Sequence, residues 1–262
     1  MAAVLSADEP DLARRFAGLD RLYGVTAAAA VRAAHVAVVG VGGVGSWAVE
    51  SLARSGVGAL TLIDLDHVAE SNVNRQIHAT SATLGQAKVL AMKDRIAQIN
   101  PACRVTAIEE FVDAGNWPQL LPDGVTAVID ACDQPRAKLA MAAQARLVAR
   151  VHVAVGAAGG KRHAHKVQID DLARVTHDPL LAKLRNQLRR EHAAPREGRS
   201  IGLSCVFSPE PVQGPHASCA LDESGSDGSL NCAGFGSLVS VTATFGHCAA
   251  GWVLEQLAQG HQ

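Results

Sequence analysis

Four groups of residues between positions 35 and 88 have side chains and backbone shapes suited to binding phosphate. A glycine-rich turn at residues 40–45, Gly-Val-Gly-Gly-Val-Gly, is followed by two carboxylates, Asp64 and Asp66. A segment with amides and an arginine, Asn72 to Gln76, comes next, and then Lys88. Arginine offers a planar fork to phosphate oxygens and lysine a compact positive charge. The combination predicts a polyphosphate site, because a dinucleotide is held mainly by the turn and one carboxylate.

The segments around the glycine turn have the pattern of a strand, a helix and a second strand. Residues 35–39 form a valine-rich apolar run that is typical of a central parallel strand. Residues 46–55 have apolar side chains at helical spacing, and residues 59–64 form a second strand-like run. Such a turn binds a nucleotide in this context. We therefore expect an α/β fold with a Rossmann-like, doubly wound, largely parallel sheet and helices on both faces.

Three glycines of the turn have separate physical roles. Gly40 permits a sharp turn, Gly42 leaves room for a phosphate against the backbone, and Gly45 permits close packing of the helix on the strand. The helix N-terminus then presents N–H groups and partial positive charge to the phosphates. Asp64, which ends the second strand, can accept hydrogen bonds from ribose hydroxyls. This unit alone is compatible with NAD, FAD, S-adenosylmethionine and ATP.

A third strand-like run, residues 125–130, ends in Asp130 and leads into a segment that contains Asp133. Asp133 lies at the strand edge where α/β sheets bind ligands, and Mg²⁺ takes carboxylate and phosphate oxygens, so Asp133 is the predicted metal ligand. Asp130 is either a helix N-cap or a catalytic residue.

The predicted catalytic residues are Arg75, Lys88 and Asp133. The predicted nucleotide-binding residues are Gly40, Gly42, Gly43, Gly45, Asp64, Asp66, Asn74, Arg75, Gln76 and Lys88.

The ordered motifs Gly-x-Gly-Gly-x-Gly, Asp-x-Asp, Asn-x-Asn-Arg-Gln, Lys and Asp-x-x-Asp-x-x-Arg resemble those of the ThiF/MoeB/HesA family of adenylylating enzymes. The resemblance implies that the nucleotide is ATP and that Asp64 binds its ribose. It also implies that Arg75, Gln76 and Lys88 hold the phosphates and that Asp133 holds Mg²⁺.

The family resemblance runs from about residue 15 to residue 152 and has a consequence for assembly. It implies a homodimer in which an N-terminal arginine of one subunit reaches the nucleotide of the other. Arg15 and Arg21 are the candidates in this sequence. Whether a monovalent cation also binds is left open.

The spacing of the six cysteines indicates which branch of this family the sequence resembles. None of them forms a Cys-x-x-Cys pair, whereas members that activate sulfur-carrier or ubiquitin-like proteins usually hold a structural Zn²⁺ with two such pairs. Further segments resemble a narrower group, the tRNA threonylcarbamoyladenosine dehydratases, in order along nearly the whole chain. These segments are 15–24, 74–79, 98–101, 156–160, 178–180, 205–208, 234–237 and 242–246.

The narrower resemblance implies an ATP-dependent cyclisation of N6-threonylcarbamoyladenosine in tRNA through an acyl adenylate. Two other functions stay open. One is an adenylyltransferase that activates the C-terminus of a sulfur-carrier or ubiquitin-like protein, and the other is a non-catalytic nucleotide-binding adaptor in sulfur transfer. An NAD-dependent dehydrogenase is disfavoured because the polyphosphate cluster has no use there.

Two cysteines bear on these alternatives. Cys205 lies in a strand-like stretch, and we expect it to be a buried, unreactive thiol. Cys232 precedes an apolar, helix-like segment whose N-terminus can lower the pKa of a thiol. Its role stays open, and a cysteine desulfurase or sulfur-acceptor protein is a candidate partner.

The formal net charge is −1, so a tRNA-binding surface must be a local basic patch. Two patches are candidates, and the first is favoured because it should lie nearer the nucleotide. The first consists of Lys161, Arg162, His163, His165 and Lys166. The second, around a predicted helix at 179–192, consists of Arg185, Arg189, Arg190, Arg196 and Arg199.

We expect one domain over residues 1–262, because no Pro- or Ser-rich linker separates the motifs. Its expected parts outside the nucleotide unit are an N-terminal arm at 1–30, a mobile loop at 209–231 and a C-terminal helix at 232–258. The last segment is long enough to raise the question of a membrane span, but its polar and glycine content favours a buried or interface helix. The charged N-terminus and unpaired cysteines predict a cytoplasmic protein without a secretory signal.

Overall fold

The computed structural model describes residues 10–196, 198–216 and 235–260. In these ranges the chain forms one sheet of seven strands with α-helices packed on it. The strands are β1 His35–Val39, β2 Ala59–Ile63, β3 Arg104–Ile108, β4 Ala127–Asp130, β5 Val151–Val155, β6 Gln168–Asp171 and β7 Ser204–Phe207. The helices are α1 Leu12–Tyr23, α2 Val25–Ala33, α3 Gly45–Arg54, α4 Lys88–Ile99, α5 Pro135–Ala145, α6 Pro179–Glu191 and α7 Val239–Gln259.

The strand order across the sheet is β3-β2-β1-β4-β5-β7-β6. Neighbouring strands pair in parallel, except that β6 runs antiparallel to β7 at one edge. The chain order reverses between β1 and β4, and in open α/β sheets a crevice for ligands forms at such a reversal, outside the carboxyl ends of the strands. The predicted doubly wound, largely parallel α/β fold is confirmed.

Alternate side chains of β1 enter two different hydrophobic cores. Val36 and Val38 belong to a core that also contains residues of α3, α4 and α7. Ala37 and Val39 belong to a second core, on the opposite face of the sheet, that contains residues of α5. Because side chains alternate across a strand, a strand buried on both faces needs a continuous apolar sequence. The valine-rich run of β1 satisfies this need.

Helix α4 begins at Lys88, although apolar residues at helical spacing begin at Leu84 in the sequence. Gly85 adopts φ +80° and donates its N–H to the Val68 carbonyl at 2.9 Å. The backbone N–H of Val68 donates in turn to the Gln86 carbonyl at 2.9 Å. These bonds fold residues 85–86 back on residue 68, and Lys88 therefore stands at the helix N-terminus.

The C-terminal helix α7 begins at Val239, whereas the sequence predicts a start at residue 232. Within the described part of that interval, residues 235–238 are not helical, and the Gly236 carbonyl accepts a 2.9 Å hydrogen bond from Gly160 N–H. None of the described helices, α7 included, has the length and hydropathy needed to cross a membrane. Residues 1–9 of the predicted arm and 217–231 of the predicted mobile loop lie outside the described residues.

Candidate active site

A cavity of about 390 Å³ opens at the carboxyl edge of the sheet, where the chain order reverses between β1 and β4. Its walls include the residues that follow β1, β2, β4 and β5. Most of the predicted site residues line it, which places side chains from separate parts of the sequence around one space. The predicted residues on the cavity wall are Gly40, Gly42, Gly43, Asp64, Asp66, Arg75, Gln76, Lys88 and Asp133.

The glycine turn closes on itself so tightly that two positions exclude any side chain. Gly40 has φ +83°, and a Cβ there would come within 2.9 Å of the Ala131 and Cys132 backbone. A Cβ on Gly45 would overlap the Gly40 carbonyl oxygen. The N-cap of α3, Val44, makes no side-chain capping hydrogen bond. The N–H groups of Ser46 and Trp47 donate to the Gly42 and Val44 carbonyls at 3.1 Å, so the start of α3 acts on an anion at the cavity edge mainly through the positive end of the helix dipole.

Asp64 is fixed in place by two backbone donors. Its Oδ2 accepts the Val41 N–H at 2.6 Å, and its Oδ1 accepts the Asp66 N–H at 2.9 Å. Burial raises the pKa of Asp64, while the positive charge of Lys88 acts in the opposite direction. A carboxylate oxygen has more than one lone pair, so both oxygens keep capacity for a ligand hydroxyl.

Lys88 is buried and aimed at the cavity by Asp66. The ammonium group donates to the Asp66 Oδ2 at 2.7 Å, and the Lys88 backbone N–H donates to the Asp66 carbonyl at 3.0 Å. Only 6% of Lys88 is exposed. An ammonium group has three N–H donors, so the pair with Asp66 leaves capacity for phosphate oxygens.

Arg75 lies beside the glycine turn. Its Nη1 donates to the Ser71 carbonyl at 2.7 Å and to the Asn74 Oδ1 at 2.9 Å. Its stem lies so close to the turn that a Cβ on Gly43 would be 3.3 Å from it. The Arg75 carbonyl accepts a 2.9 Å hydrogen bond from the Trp47 indole. These contacts set the arginine against the turn where the sequence predicts the phosphates.

Two of the three amide side chains in the segment 72–76, those of Gln76 and Asn74, occupy different positions. Gln76 lines the cavity, is 4% exposed, and its Oε1 has no hydrogen-bond partner among the described residues. Asn74 is absent from the described cavity wall and instead donates to the Ser237 carbonyl at 3.3 Å. Asn74 thus connects the segment to the residues before α7, and nucleotide contact by this residue stays a prediction.

Asp130 is not the helix N-cap that the sequence offered as one alternative, and it is not part of the described cavity wall. The N-cap of α5 is Gln134, and Asp130 instead forms a fully buried ion pair with Lys138 at 2.8 Å. Its Oδ1 also accepts the Cys132 N–H at 3.2 Å. The pair therefore holds the start of the loop that carries Asp133, which lines the cavity.

Part of the cavity wall was not among the predicted site residues. Asp178 caps α6 by accepting the Leu181 N–H at 2.9 Å, and its second oxygen accepts the Ala157 N–H at 2.8 Å. It thereby fixes the loop after β5, and the Asp-Pro pair at the start of a helical pattern was the available sequence signal. The residues of this and the neighbouring wall that sequence reasoning missed include Phe111, Val112, Leu180, Val212 and Thr242.

The N-terminal arginines lie outside the described wall of this cavity. Arg15 donates to the Ile99 carbonyl at the end of α4 in its own chain, at 2.8 Å. Arg21 lies exposed on α1. The homodimer and its inserted arginine stay predictions.

The two basic patches contain fewer exposed cations than the sequence predicts. Lys161 of the favoured patch is 2% exposed and points inward. In the other patch, Arg185 donates to the Leu172 and Val175 carbonyls at 3.1 and 2.8 Å, and Arg189 donates to the Pro195 carbonyl at 3.1 Å. Sequence shows the charge of a side chain but not its direction. Three members of the patches are thus structural.

Burial raises the pKa of two thiols in the site region. Cys205 is fully buried, as the sequence predicts, and burial raises the pKa of its thiol well above the usual value. Cys132 lines the cavity, and burial followed by the charge of Asp130 raises the pKa of this thiol in the same way. Cys232 lies outside the described residues. In the ranges that the structure covers, no three His, Cys, Asp or Glu residues form a group that could hold a metal by themselves.

A doubly wound sheet with a glycine-rich turn, a buried carboxylate after β2 and converging cations around one cavity is the arrangement typical of a nucleotide-binding α/β protein. The model of the ThiF family matches residues 13–261, and the chain belongs to that family. The family predicted from the motifs is therefore confirmed.

Two curated relatives match along nearly their whole length. The chain is 43% identical to tRNA threonylcarbamoyladenosine dehydratase of Escherichia coli K12 over 93% of both chains. It is 40% identical to the Haemophilus influenzae enzyme of the same name, also over 93% of both. The crystal structure of the E. coli dehydratase in complex with ATP matches with a TM-score of 0.86 and 41% identity, covering 98% of each chain.

Proposed function

We propose that this protein is an ATP-dependent tRNA threonylcarbamoyladenosine dehydratase that works through an acyl adenylate. The similarity over 98% of both chains to a dehydratase that binds ATP carries this proposal. A second crystal structure of that relative, with AMP, has a TM-score of 0.86 and covers 99% of this chain. By contrast, the Salmonella molybdopterin-synthase adenylyltransferase matches only 40% of this chain.

ATP fits the described cavity with its phosphates at the glycine turn. The positive end of the α3 dipole and the cations Arg75 and Lys88 neutralise the triphosphate. Asp64 accepts the ribose hydroxyls with lone pairs that its backbone donors leave available. Gln76 offers a buried amide oxygen without a partner among the described residues. These residues bind and orient the substrate rather than react with it.

Asp133 fits a Mg²⁺ ion that arrives with the nucleotide. The described residues hold no ready-made three-ligand cluster, and Mg²⁺ usually binds proteins through one or two carboxylates and completes its shell with substrate phosphates and water. Asp133 lies on the cavity wall beside the glycine turn and supplies that carboxylate. Bound there, the ion would offset the negative charge of the phosphates.

The reaction needs no protein nucleophile. The threonyl carboxylate of the modified adenosine attacks the α-phosphorus of ATP and pyrophosphate leaves, which gives an acyl adenylate. The carbamoyl group of the same substrate then attacks the acyl carbon and expels AMP with the original carboxylate oxygen, and the proton of the carbamoyl group passes to solvent, which closes the ring. Cys132, the thiol on the cavity wall, has a raised pKa and stays protonated, so it is a poor nucleophile. The residues of the site contribute orientation and charge neutralisation.

The proposal keeps three expectations from the sequence, of which the homodimer rests on the family resemblance. The chain acts as one domain and as a homodimer, in which an arginine of the N-terminal arm completes the neighbouring site. A sulfur-transfer protein that acts through Cys232 is a further candidate partner. The tRNA substrate follows from the proposed activity.

The proposed activity predicts ATP consumption that depends on the tRNA modification. Purified protein with ATP and Mg²⁺ is given tRNA that carries threonylcarbamoyladenosine, or the same tRNA without it. We expect AMP and pyrophosphate only with the modified tRNA, and mass spectrometry of the nucleosides shows the loss of one water. ATP that binds but is not consumed with either tRNA would contradict the proposal.

The Asp133→Asn variant tests the metal site. We expect the Mg²⁺ concentration for half-maximal AMP formation to rise roughly tenfold or more, because an amide is a weaker ligand for a hard cation than a carboxylate. A Mg²⁺ titration at saturating ATP measures the change. The control is Asp123→Asn, which changes an exposed carboxylate outside the described cavity wall. An unchanged Mg²⁺ requirement in Asp133→Asn would remove this residue from the metal site.

A further inference from the structure

The segment 162–166, here called the basic turn, lies directly beyond the wall of the cavity. It contains four basic side chains, and all four are exposed: Arg162, His163, His165 and Lys166. Residues 156–159, which precede it along the chain, line the cavity. Consecutive Cα atoms are about 3.8 Å apart, so Arg162 lies no more than about 12 Å from Gly159. The turn therefore borders the cavity at the carboxyl edge of the sheet.

The buried side chain of Lys161 anchors the start of the basic turn. Its ammonium group donates to three backbone carbonyls: His177 at 2.9 Å, Ser208 at 3.2 Å and Glu210. These carbonyls belong to two segments that are distant in sequence. The three donors of the ammonium group are thereby all used, and the backbone at residue 161 cannot shift without breaking these bonds.

The carboxylate of Glu210 holds the first residues of the basic turn. It is buried and accepts the backbone N–H of Arg162 at 3.1 Å and that of His163 at 2.9 Å. Both oxygens of Glu210 thus act on the backbone, and the two side chains remain directed to solvent. These hydrogen bonds fix the backbone at the start of the basic turn in the absence of any partner.

The cations of the basic turn are available for a partner. In the described ranges the side chains of Arg162 and Lys166 make no hydrogen bond or close ion pair, although the charge of Lys166 acts on the Glu210 carboxylate and His163 Nδ1 lies 4.0 Å from Glu210 Oε1. The rings of His163 and His165 stack with centroids 5.6 Å apart. On α6, by contrast, Arg190 pairs with Glu191. The basic turn thus presents two unpaired permanent charges and two aromatic rings on one short rigid segment.

We propose that the basic turn binds the phosphates of the RNA strand on either side of the modified nucleoside. This inference rests on the proposed function. A nucleoside within a tRNA loop can enter the cavity only if its strand crosses the cavity rim, and the basic turn forms part of that rim. Arg162 and Lys166 contact phosphate oxygens there, because unpaired Arg and Lys side chains are the main source of electrostatic affinity for nucleic acid. The stacked imidazoles add a surface for an unstacked base.

The test uses the double variant Arg162→Ser/Lys166→Ser and a control with the same loss of charge. The control is Lys183→Ser/Arg190→Ser, which removes two exposed cations from α6. We expect the variant of the basic turn to raise the Kd for modified tRNA roughly tenfold or more, and to flatten the slope of log Kd against log salt concentration by about 2. The affinity for ATP and the rate at saturating tRNA stay as in the wild type.

The outcomes separate this inference from the proposed function. Equal tRNA affinity in the two double variants would overturn the role of the basic turn, and so would a loss of ATP affinity in Arg162→Ser/Lys166→Ser alone. If the wild-type protein forms no AMP with modified tRNA, the proposed function fails, whatever the variants do. A wild-type rate that depends on modified tRNA, with weakened tRNA binding only in the variant of the basic turn, supports both.

Discussion

Replacing Lys88 with alanine is expected to lower the rate of AMP formation by on the order of 100- to 1,000-fold, the usual effect of removing one group that stabilises charge in a transition state. The ammonium group lies at the cavity with one donor on Asp66 and two donors available for phosphate. Negative charge on the α-phosphate increases as the threonyl carboxylate attacks. The loss of Lys88 removes a fixed positive charge from that point. Single-turnover assays with radiolabelled ATP measure the rate.

The fold should survive this change. Asp66, the partner of Lys88, has 57% of its side chain exposed, so water solvates the carboxylate that the substitution leaves behind. Lys93→Ala is the matched control, because Lys93 is an exposed lysine on the same helix α4. We expect wild-type activity in Lys93→Ala and similar unfolding midpoints in both variants. Wild-type AMP formation by Lys88→Ala would exclude the lysine from the chemistry.

The nucleotide unit was predictable because its signals are local. Gly45 lies so close to the Gly40 carbonyl that no residue with a side chain fits there. This requirement for glycine is visible directly in the sequence. The apolar run of β1 likewise follows directly from burial on both faces. The sequence also predicts that Lys88 lies near the strand ends, but it does not predict the residue at which α4 begins. The start of α4 depends on hydrogen bonds between residue 68 and residues 85–86. The spacing of apolar residues gives no information about these bonds.

The remaining features depend on the direction of side chains, which the sequence does not show. Lys161 lies among basic residues in the sequence, which predicts a position on an RNA-binding surface. In the structure its ammonium group points into the protein. Asp130 occupies a position typical of a metal ligand or a helix cap. Its partner is instead Lys138 in α5, the helix that follows β4. Phe111 follows β3, a strand with exposed positions and a weak pattern, and its place on the cavity wall appears only in the folded sheet.

The buried pair of Asp130 and Lys138 predicts the largest effect on stability. Both side chains have 0% exposure, and their charged atoms are 2.8 Å apart. Lys138→Met keeps the approximate length of the side chain but leaves the carboxylate buried without its counter-charge. We expect the free energy of unfolding to fall by about 3–5 kcal/mol, the usual cost of removing one partner from a buried pair. Urea titration followed by circular dichroism measures the loss.

The double variant Asp130→Asn/Lys138→Met distinguishes an uncompensated charge from lost packing. It removes both charges, and replacement of a whole buried pair by uncharged groups is often nearly neutral, so we expect it to recover most of the stability lost in Lys138→Met. Lys183→Met, at an exposed position of α6, is the control and should leave stability unchanged. A double variant as unstable as Lys138→Met would mean that packing around the lysine stem matters more than the charge. Recovery would show that the pair supports the loop of Asp133 mainly because neither charge can be buried alone.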